Sequence, residues 1–447
     1  MDLTWLPAWQ IRELIAKREV SPVEVVDHFL GRAEQLDPIL RCFRTLDASG
    51  ARAQAKRAEE SVLRGDALEV LHGVPVTVKE HIAVAGLPVL RWNDPTNRAP
   101  ADHDALVVER LRQAGAIVIG TNVMPGMGTA GLLDSDGQPT TDLSWHSRNP
   151  WDVNKVPGYS SAGSSAAVGA GVVPIAITSD GAGSTRMPGA LNGLVGVHPT
   201  MGRVPLGGPP GITWSSSLGP LTRDVRDNAT VLQAIAGPDG GEVISLQSDP
   251  PNYLGELDGG LEGVRFAWTD DYGFARSYAS ECSERVIAAV RSAADGFTQL
   301  GAAVEPIDDV FDDSLGMMGM MQPNSTEEAF REAQAVRARW WAAFGRIFAI
   351  HDVIVTPTTH QLAVDVEEFA ASIQRDPGFA AKFLVYTSPN NVLGWPALAV
   401  PCGFVDGLPV SLQLIGRPDT EPLLYRAANA LLRAFPRHER PPIALDN

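Results

Sequence analysis

The sequence predicts an α/β fold with a twisted, mixed but mainly parallel β-sheet core sandwiched between layers of α-helices. Short apolar runs, typical of buried strands, alternate along the chain with longer segments whose apolar residues recur at helical spacing. The 447 residues are 44% apolar and 20% charged, as in ordinary globular proteins. No internal repeat and no long linker divides the chain, so we expect a single domain over residues 1–447.

The first elements of this alternation carry clear boundary signals. Ser21-Pro-Val-Glu24 is a capping box with proline at the first helical position, and the Ala-, Arg- and Glu-rich segment 48–63 predicts a second helix. Gly73-Val-Pro-Val-Thr-Val-Lys79 predicts a short strand with Lys79 at its far end. Segment 104–115 is amphipathic and ends at glycine, as helices often do, and 116–120 is typical of a buried strand.

The rest of the chain continues the pattern, apart from a predicted loop over 124–148. Helices are predicted over 223–235, 283–300 and 421–435. One more helix contains Trp340 and Trp341, which are expected to serve its packing. Strands are predicted over 265–268, 303–305, 353–357, 397–401 and 409–416.

Composition excludes several classes of function. The formal charge of −17 and the lack of a basic run argue against nucleic-acid binding. Cys42, Cys282 and Cys402 are scattered singly, which indicates neither a zinc site nor a disulfide framework. The start of the chain lacks the features of a signal peptide, and no apolar stretch is long enough to span a membrane. We therefore expect a cytoplasmic protein without a metal, a cofactor or a membrane partner.

Two neighbouring loops of small residues and hydroxyls form the most informative feature. Pro157-Gly-Tyr-Ser-Ser-Ala-Gly-Ser-Ser165 precedes an apolar run, and Thr178-Ser-Asp-Gly-Ala-Gly-Ser-Thr-Arg186 follows it. Such loops bury little apolar surface and cost conformational entropy, so a fold rarely needs two of them. They suit a site where backbone N–H groups and a serine oxygen must approach a substrate closely. The sequence therefore predicts a serine nucleophile.

The base that would activate this serine is not an obvious histidine. The G-x-S-x-G elbow is absent, and none of the nine histidines lies in a recognisable triad setting. A lysine can act as a base when burial keeps it uncharged. Lys79 is the best placed lysine because it ends an apolar strand. Taken alone, a lysine at a strand end is more often simply solvated.

Together these segments resemble the amidase signature family over nearly the whole chain. The resemblance covers the strand that ends at Lys79, both serine loops, Asn149-Pro-Trp151, Gly193-Leu-Val-Gly-Val-His-Pro-Thr200 and Gly394-Trp-Pro-Ala-Leu-Ala-Val-Pro-Cys-Gly403. It implies a single amidase domain made of N-terminal helices in 1–65, a signature core in 70–205, and a pocket or lid with the C-terminal part in 206–447.

The resemblance also implies a catalytic triad of the Ser–cis-Ser–Lys kind. Family members have two serines 24 positions apart, and Ser184 follows Ser160 by that spacing. Ser184 then matches the nucleophile, Ser160 the bridging serine after a cis peptide bond, and Lys79 the base. A bridging hydroxyl can both donate and accept a proton, so it would connect a lysine to a more distant nucleophile.

Neighbouring residues take supporting roles by the same resemblance. Ser161 corresponds to a serine that hydrogen-bonds the lysine, and Asp180 and Arg186 are expected to pair and shape the loop. The amides of four consecutive residues would face the developing oxyanion: Gly181, Ala182, Gly183 and Ser184.

Three positions depart from the family pattern, which usually has glycine there. Tyr159 packs under the loop or borders the substrate cavity, and positive φ at Ala162 or Ala182 would be unfavourable. Substrate-pocket candidates are large side chains near the serine loops or in the Met-rich run 317–321: Met127, Trp145, Tyr159, Met317, Met320 and Met321.

The function implied is hydrolysis of a C–N bond in a carboxylic amide or related carbamate, with an aryl or hydrophobic group favoured. Two alternatives stay open. One is the glutaminase subunit of a tRNA-dependent amidotransferase, which would work with partner chains. The other is a nucleotide-binding protein without catalysis, although both glycine-rich loops lack the third glycine of the dinucleotide fingerprint. The expected partner is a small-molecule substrate, and a homodimer is left open.

Overall fold

The computed structural model describes residues 1–91, 94, 96–125, 143, 146–206, 215–308, 311, 326–376, 379–436 and 438–444. Within these residues the α-helices are α1 Ala8–Ala16, α2 Pro22–Leu40, α3 Ala48–Arg64, α4 Leu106–Gln113, α5 Ala162–Gly169, α6 Arg186–Asn192, α7 Val225–Ile235, α8 Ser283–Gln299, α9 Glu327–Ile347, α10 Val366–Arg375, α11 Ser388–Leu393 and α12 Glu421–Ala434. The strands are β1 Phe43–Leu46, β2 Pro75–Lys79, β3 Ile117–Asn122, β4 Ile175–Asp180, β5 Val195–His198, β6 Ser217–Thr222, β7 Arg265–Trp268, β8 Ala303–Pro306, β9 Val353–Pro357, β10 Ala397–Val405 and β11 Leu408–Ile415.

All of these strands form one sheet, in the order β1-β3-β2-β4-β6-β5-β10-β11-β9-β7-β8. The predicted class, a mixed α/β sheet between helices, is confirmed. Parallel pairing lies on the two flanks, where β2 pairs with β3 and β4, and β7 pairs with β8 and β9. The centre, from β4 through β6, β5, β10 and β11 to β9, is antiparallel. The sheet is thus less parallel than expected, because several neighbouring strands run in opposite directions.

Alternating side chains of β2, β3 and β4 enter separate cores on the two faces of the sheet. Val76 and Ile177 lie in a large core with α4, α7 and α8, whereas Ile117 and Ala176 lie in a second core with α2, α3 and α5. Every residue of β2 is buried. A polar side chain at the end of such a strand is therefore shielded from water on both sides.

The predicted helix after Ser21 is confirmed at the level of its cap. The Ser21 hydroxyl accepts the Glu24 amide at 3.1 Å, and the Glu24 carboxylate accepts the Ser21 amide at 2.8 Å. Trp340 is buried in α9, as expected, while half of Trp341 is exposed.

The sequence suggested that the two serine-rich segments are loops. The structure shows instead that each continues into a short helix. α5 follows Ser160 and Ser161, and α6 follows Ser184 and Thr185. Small residues allow this because α5 packs against other backbone: a Cβ on Gly163 would overlap the Cys42 carbonyl and lie 2.7 Å from the Val123 nitrogen. Both helices start at the edge of the sheet where the parallel strands β2 and β4 end.

Candidate active site

Lys79 lies at the carboxyl end of β2 and is 1% exposed. Its Nζ donates to the Ser160 hydroxyl at 2.9 Å and to the Ser179 hydroxyl at 3.3 Å. Ser179 is on β4, which pairs in parallel with β2. The last pair joins Val78, next to Lys79, with Ile177. Parallel pairing therefore brings Lys79 and Ser179 together at the strand ends. The turn before α5 adds Ser160.

Burial lowers the pKa of Lys79 from its ordinary 10.5 to about 7, against the opposing effect of the Asp180 and Glu80 carboxylates. The Glu80 charge is itself balanced, because its carboxylate lies 2.7 Å from Arg98 and 3.6 Å from Arg44. A large share of Lys79 is therefore uncharged at neutral pH, which is what a lysine base requires.

Ser160 lies in a tight turn whose geometry differs from the expectation. Among the described residues no peptide bond is cis, so the bond before Ser160 is trans. Gly158, at φ +133°, carries the chain through the turn instead. A Cβ at Gly158 would approach Pro188 at 2.7 Å, so the glycine also allows α6 to pack close by. Ser160 still reaches Lys79.

Ser161 does not have the role expected of it. Its buried hydroxyl has no hydrogen-bond partner in the part of the chain that the structure describes, and Lys79 bonds Ser179 instead. The reason is geometric: Ser161 is the residue before α5, whereas Ser179 lies on β4, the strand that pairs with the strand of Lys79. Parallel strand register is the signal that would have indicated Ser179.

Asp180, the last residue of β4, organises the second serine loop. Its carboxylate accepts the amides of Gly183, Thr185 and Arg186 at 2.6, 3.2 and 3.3 Å. The Gly183 amide therefore donates to Asp180 rather than to the site, which differs from the expected set of oxyanion donors. Among the described residues, the amides of Gly181, Ala182 and Ser184 donate to no atom of the chain.

Asp180 and Arg186 form a fully buried ion pair at 2.9 Å. Burial alone would raise the pKa of Asp180, but the Arg186 guanidinium outweighs it and holds that pKa well below its usual range. Arg186 also donates to the Thr387 carbonyl at 3.1 Å and to the Gln413 amide oxygen at 2.7 Å. The pair thus ties the loop to the C-terminal part of the chain.

Ser184 is partly exposed on the loop between β4 and α6. Within the described residues its hydroxyl makes no hydrogen bond, so the structure joins Lys79 to Ser160 but not Ser160 to Ser184. Neither Ala162 nor Ala182 has positive φ, because Gly158 and Gly183, at +133° and +128°, take those conformations. The alanine substitutions therefore fit this backbone without strain.

The pocket candidates divide into two groups. Met127, Trp145, Met317, Met320 and Met321 lie outside the described residues. Tyr159 is 8% exposed and packs on Phe369, with ring centres 5.7 Å apart, in the large core.

Two residues that the sequence did not indicate lie against the loop between β4 and α6. A Cβ built on Gly183 would overlap the Thr387 hydroxyl and lie 3.1 Å from a methyl group of Leu384. Leu384 is partly exposed, so it places an apolar surface beside Gly183. No local motif marks either residue.

Neither a metal centre nor a membrane-crossing segment is found in the described parts of the chain. No three His, Cys, Asp or Glu side chains there are grouped to hold a metal ion. Likewise, no helix among those residues has the length and apolar character to cross a bilayer.

The fold and the site define a class of enzymes that act on the C–N bonds of amides. The chain belongs to the amidase signature family: the amidase family model matches residues 24–315 and 305–425. A glutamyl-tRNA(Gln) amidotransferase subunit from Geobacillus thermodenitrificans is 32% identical and its counterpart from Geobacillus kaustophilus is 33% identical, each match covering 97% of this chain and 98% of that protein. This membership leaves the nucleotide-binding alternative without support.

Solved structures show the same fold. A bacterial aryl acylamidase of the amidase signature family superposes with a TM-score of 0.84 at 23% identity, over 99% of each chain. The corresponding glutamyl-tRNA(Gln) amidotransferase subunit from Thermotoga maritima superposes with a TM-score of 0.79 at 25% identity, over 98% of this chain and 97% of that one.

Proposed function

We propose that the protein hydrolyses a small carboxylic amide or carbamate with an aryl or other hydrophobic group, through an acyl-enzyme on Ser184. The observation that carries the proposal is the 2.9 Å hydrogen bond between Lys79, buried and with a pKa near 7, and the Ser160 hydroxyl. An uncharged amine in contact with a hydroxyl supplies the base that a serine nucleophile needs.

In the proposed reaction Lys79 takes the Ser160 proton while Ser160 takes the Ser184 proton, and the Ser184 oxygen bonds to the carbonyl carbon. The carbonyl becomes an oxyanion, which free loop amides stabilise. Its collapse breaks the C–N bond, and the proton passes back to the leaving amine. Water then attacks the ester by the same route. Hydrogen bonds between catalytic groups commonly tighten only when substrate binds, and the Ser160–Ser184 contact is assigned to that stage.

Leu384 supports the preference for a hydrophobic substrate. Its methyl group lies 3.1 Å from a Cβ built on Gly183, the residue before the proposed nucleophile. An apolar side chain there gains from contact with apolar carbon and gives no hydrogen bond to a charged amino acid.

The second candidate is a glutaminase subunit of a tRNA-dependent amidotransferase. The relatives from Geobacillus favour it, because they are named as amidotransferase subunits and match nearly the full chain. Glutamine carries an ammonium and a carboxylate, both of which need polar partners. The apolar Leu384 beside the loop therefore favours the first candidate.

The nucleophile is tested by labelling with a fluorophosphonate. Wild-type protein and Ser49→Ala, which alters an exposed serine in α3, are expected to be labelled, and Ser184→Ala is not. Labelling of Ser184→Ala would contradict the assignment.

A substrate panel of p-nitroacetanilide, aliphatic amides, carbamates and glutamine, with and without candidate partner subunits, then separates the two functions. Glutamine turnover that depends on partners, with no aryl amide turnover, would favour the second.

The single-domain organisation, a cytoplasmic location and a homodimer stay predictions. Limited proteolysis tests the first, cell fractionation the second, and light scattering on the purified protein the third.

A further inference from the structure

The peptide between Ala182 and Gly183 is held at both ends. The Thr387 hydroxyl donates to the Ala182 carbonyl at 2.6 Å, and the Gly183 amide donates to the Asp180 carboxylate at 2.6 Å. Both Thr387 and Asp180 are fully buried. The Gly183 amide is therefore turned away from any bound carbonyl.

The two flanking peptides point the other way. The Ser215 hydroxyl donates to the Gly181 carbonyl at 3.1 Å, and the Gly183 carbonyl accepts the Met187 amide at 2.8 Å. In a trans peptide the C=O and the following N–H point in opposite directions. The amides of Ala182 and Ser184 therefore point away from these partners, and among the described residues neither amide has an acceptor in the chain.

We propose that Thr387 and Ser215 are positioning residues for the loop that binds the oxyanion. Ser215 holds the peptide that carries the Ala182 amide, and Thr387 holds the next peptide, between Ala182 and Gly183. Together they keep the Ala182 and Ser184 amides on one side as the pair that binds the oxyanion. The inference rests on the proposed function, because the oxyanion arises when Ser184 attacks a carbonyl. Alternate residues direct their amides to one side, so two donors can reach one oxygen. The flanking glycines rotate easily, which is why side-chain hydroxyls are needed to fix the peptides.

The two residues that carry these hydroxyls are held by buried groups through their backbone carbonyls. The Thr387 carbonyl accepts from Arg186 at 3.1 Å. The Asn391 amide donates to the Ser215 carbonyl at 3.1 Å and to the Asp180 carbonyl at 2.8 Å. The donors of the loop are thus set before substrate arrives, as electrostatic stabilisation requires.

The test compares Thr387→Val, which removes the hydroxyl at nearly constant volume, with Thr387→Ser, which keeps it. Since one oxyanion donor is worth roughly a hundredfold to a thousandfold in kcat, a freed peptide is expected to lower kcat for p-nitroacetanilide by about tenfold or more. KM is expected to change by less than about twofold, because the ground-state carbonyl gains little from these donors. The rate of fluorophosphonate labelling should fall with kcat. Thr387→Ser should restore both, and Ser215→Ala should resemble Thr387→Val.

Thr358→Val is the matched control, because this buried threonine donates to the Leu412 carbonyl at 2.9 Å and not to the loop. It should keep kcat while losing as much thermal stability as Thr387→Val. The inference is wrong if both Thr387→Val and Ser215→Ala keep wild-type kcat, if their loss lies in KM, or if Thr387→Ser is as impaired as Thr387→Val. Labelling of Ser184→Ala would instead overturn the proposed function, so the two failures are distinguishable.

Discussion

Lys79 is the residue whose charge decides whether the proposed relay operates. Burial of its amine lowers its pKa to about 7 against the opposing Asp180 and Glu80 carboxylates, so the base is protonated in acid and uncharged above neutrality. We expect kcat/KM to rise with pH through about 7 and to level off above it. Rates measured from pH 3 to 10 on an uncharged amide check this. A limb centred near pH 4 would instead indicate a carboxylate base.

The same shift affects stability. Between pH 7 and 10.5 the unfolded chain holds a proton on Lys79 that the folded chain has released. The contribution of this group to the free energy of unfolding therefore rises with pH across that window and is smallest below it.

Ser179 gives a second prediction at this scale. Its hydroxyl accepts from Lys79 at 3.3 Å, and an oxygen in that position favours the ammonium form. Ser179→Ala is expected to lower the pKa of Lys79 further, which moves the acid limb of the rate profile to lower pH, and to reduce kcat by about tenfold through a poorly placed base.

Ser161→Ala is the comparison for this variant, because the Ser161 hydroxyl has no partner in the described structure. It is expected to leave the acid limb where it is. If the acid limb of the rate profile moves in Ser161→Ala but not in Ser179→Ala, then Ser161 has the role first expected of it, the hydrogen bond to Lys79.

At the scale of single elements, the turn from β4 into α6 depends on one glycine. Gly183 has φ +128°, and a Cβ there would overlap the Thr387 hydroxyl. Gly183→Ala is expected to cost about 1–3 kcal/mol in the free energy of unfolding through backbone strain. It is also expected to abolish most activity, since the added methyl group displaces Thr387 from the loop. Urea unfolding and the p-nitroacetanilide rate measure the two effects.

Gly65→Ala separates strain from displacement. Gly65 ends α3 at φ +79° with nothing near the new Cβ, so it should cost about 1 kcal/mol and leave kcat unchanged. Equal activity in both glycine variants would contradict the importance of the Gly183 contact.

The elements that sequence predicts well are those with local signals. The capping box at Ser21 and the strand that ends at Lys79 depend on neighbouring residues, and the structure has both. α5 is not predicted, because serine, glycine and alanine form a helix there only through close packing against distant backbone. For the same reason the sequence does not indicate Ser179, Thr387 or Leu384, since strand pairing or long-range packing brings them to the loop.

At the scale of the whole molecule, Arg186 joins the centre of the sheet. It pairs with Asp180 at the end of β4, donates to Gln413 on β11 and reaches Asn391 in α11 at 2.5 Å. Arg186→Met would leave a buried carboxylate without its partner, so we expect a loss of about 3–5 kcal/mol in the free energy of unfolding. Urea unfolding measures this loss.

The control is Arg226→Met, which breaks a largely exposed pair with Asp258 at 2.9 Å. An exposed pair contributes little to stability, so this variant should unfold at nearly the wild-type urea concentration. Similar midpoints for the two variants would show that the buried network does not hold the sheet together.

Two of the polar groups that shape residues 180–184 come from positions 387 and 391, far along the chain. During synthesis the reactive hydroxyls leave the ribosome long before those groups exist. If these groups have the role proposed, we expect a nascent polypeptide to carry Ser184 in an inactive form until the last strands have docked. A chain that ends before residue 387 is then expected to be inactive even though it contains every member of the proposed triad.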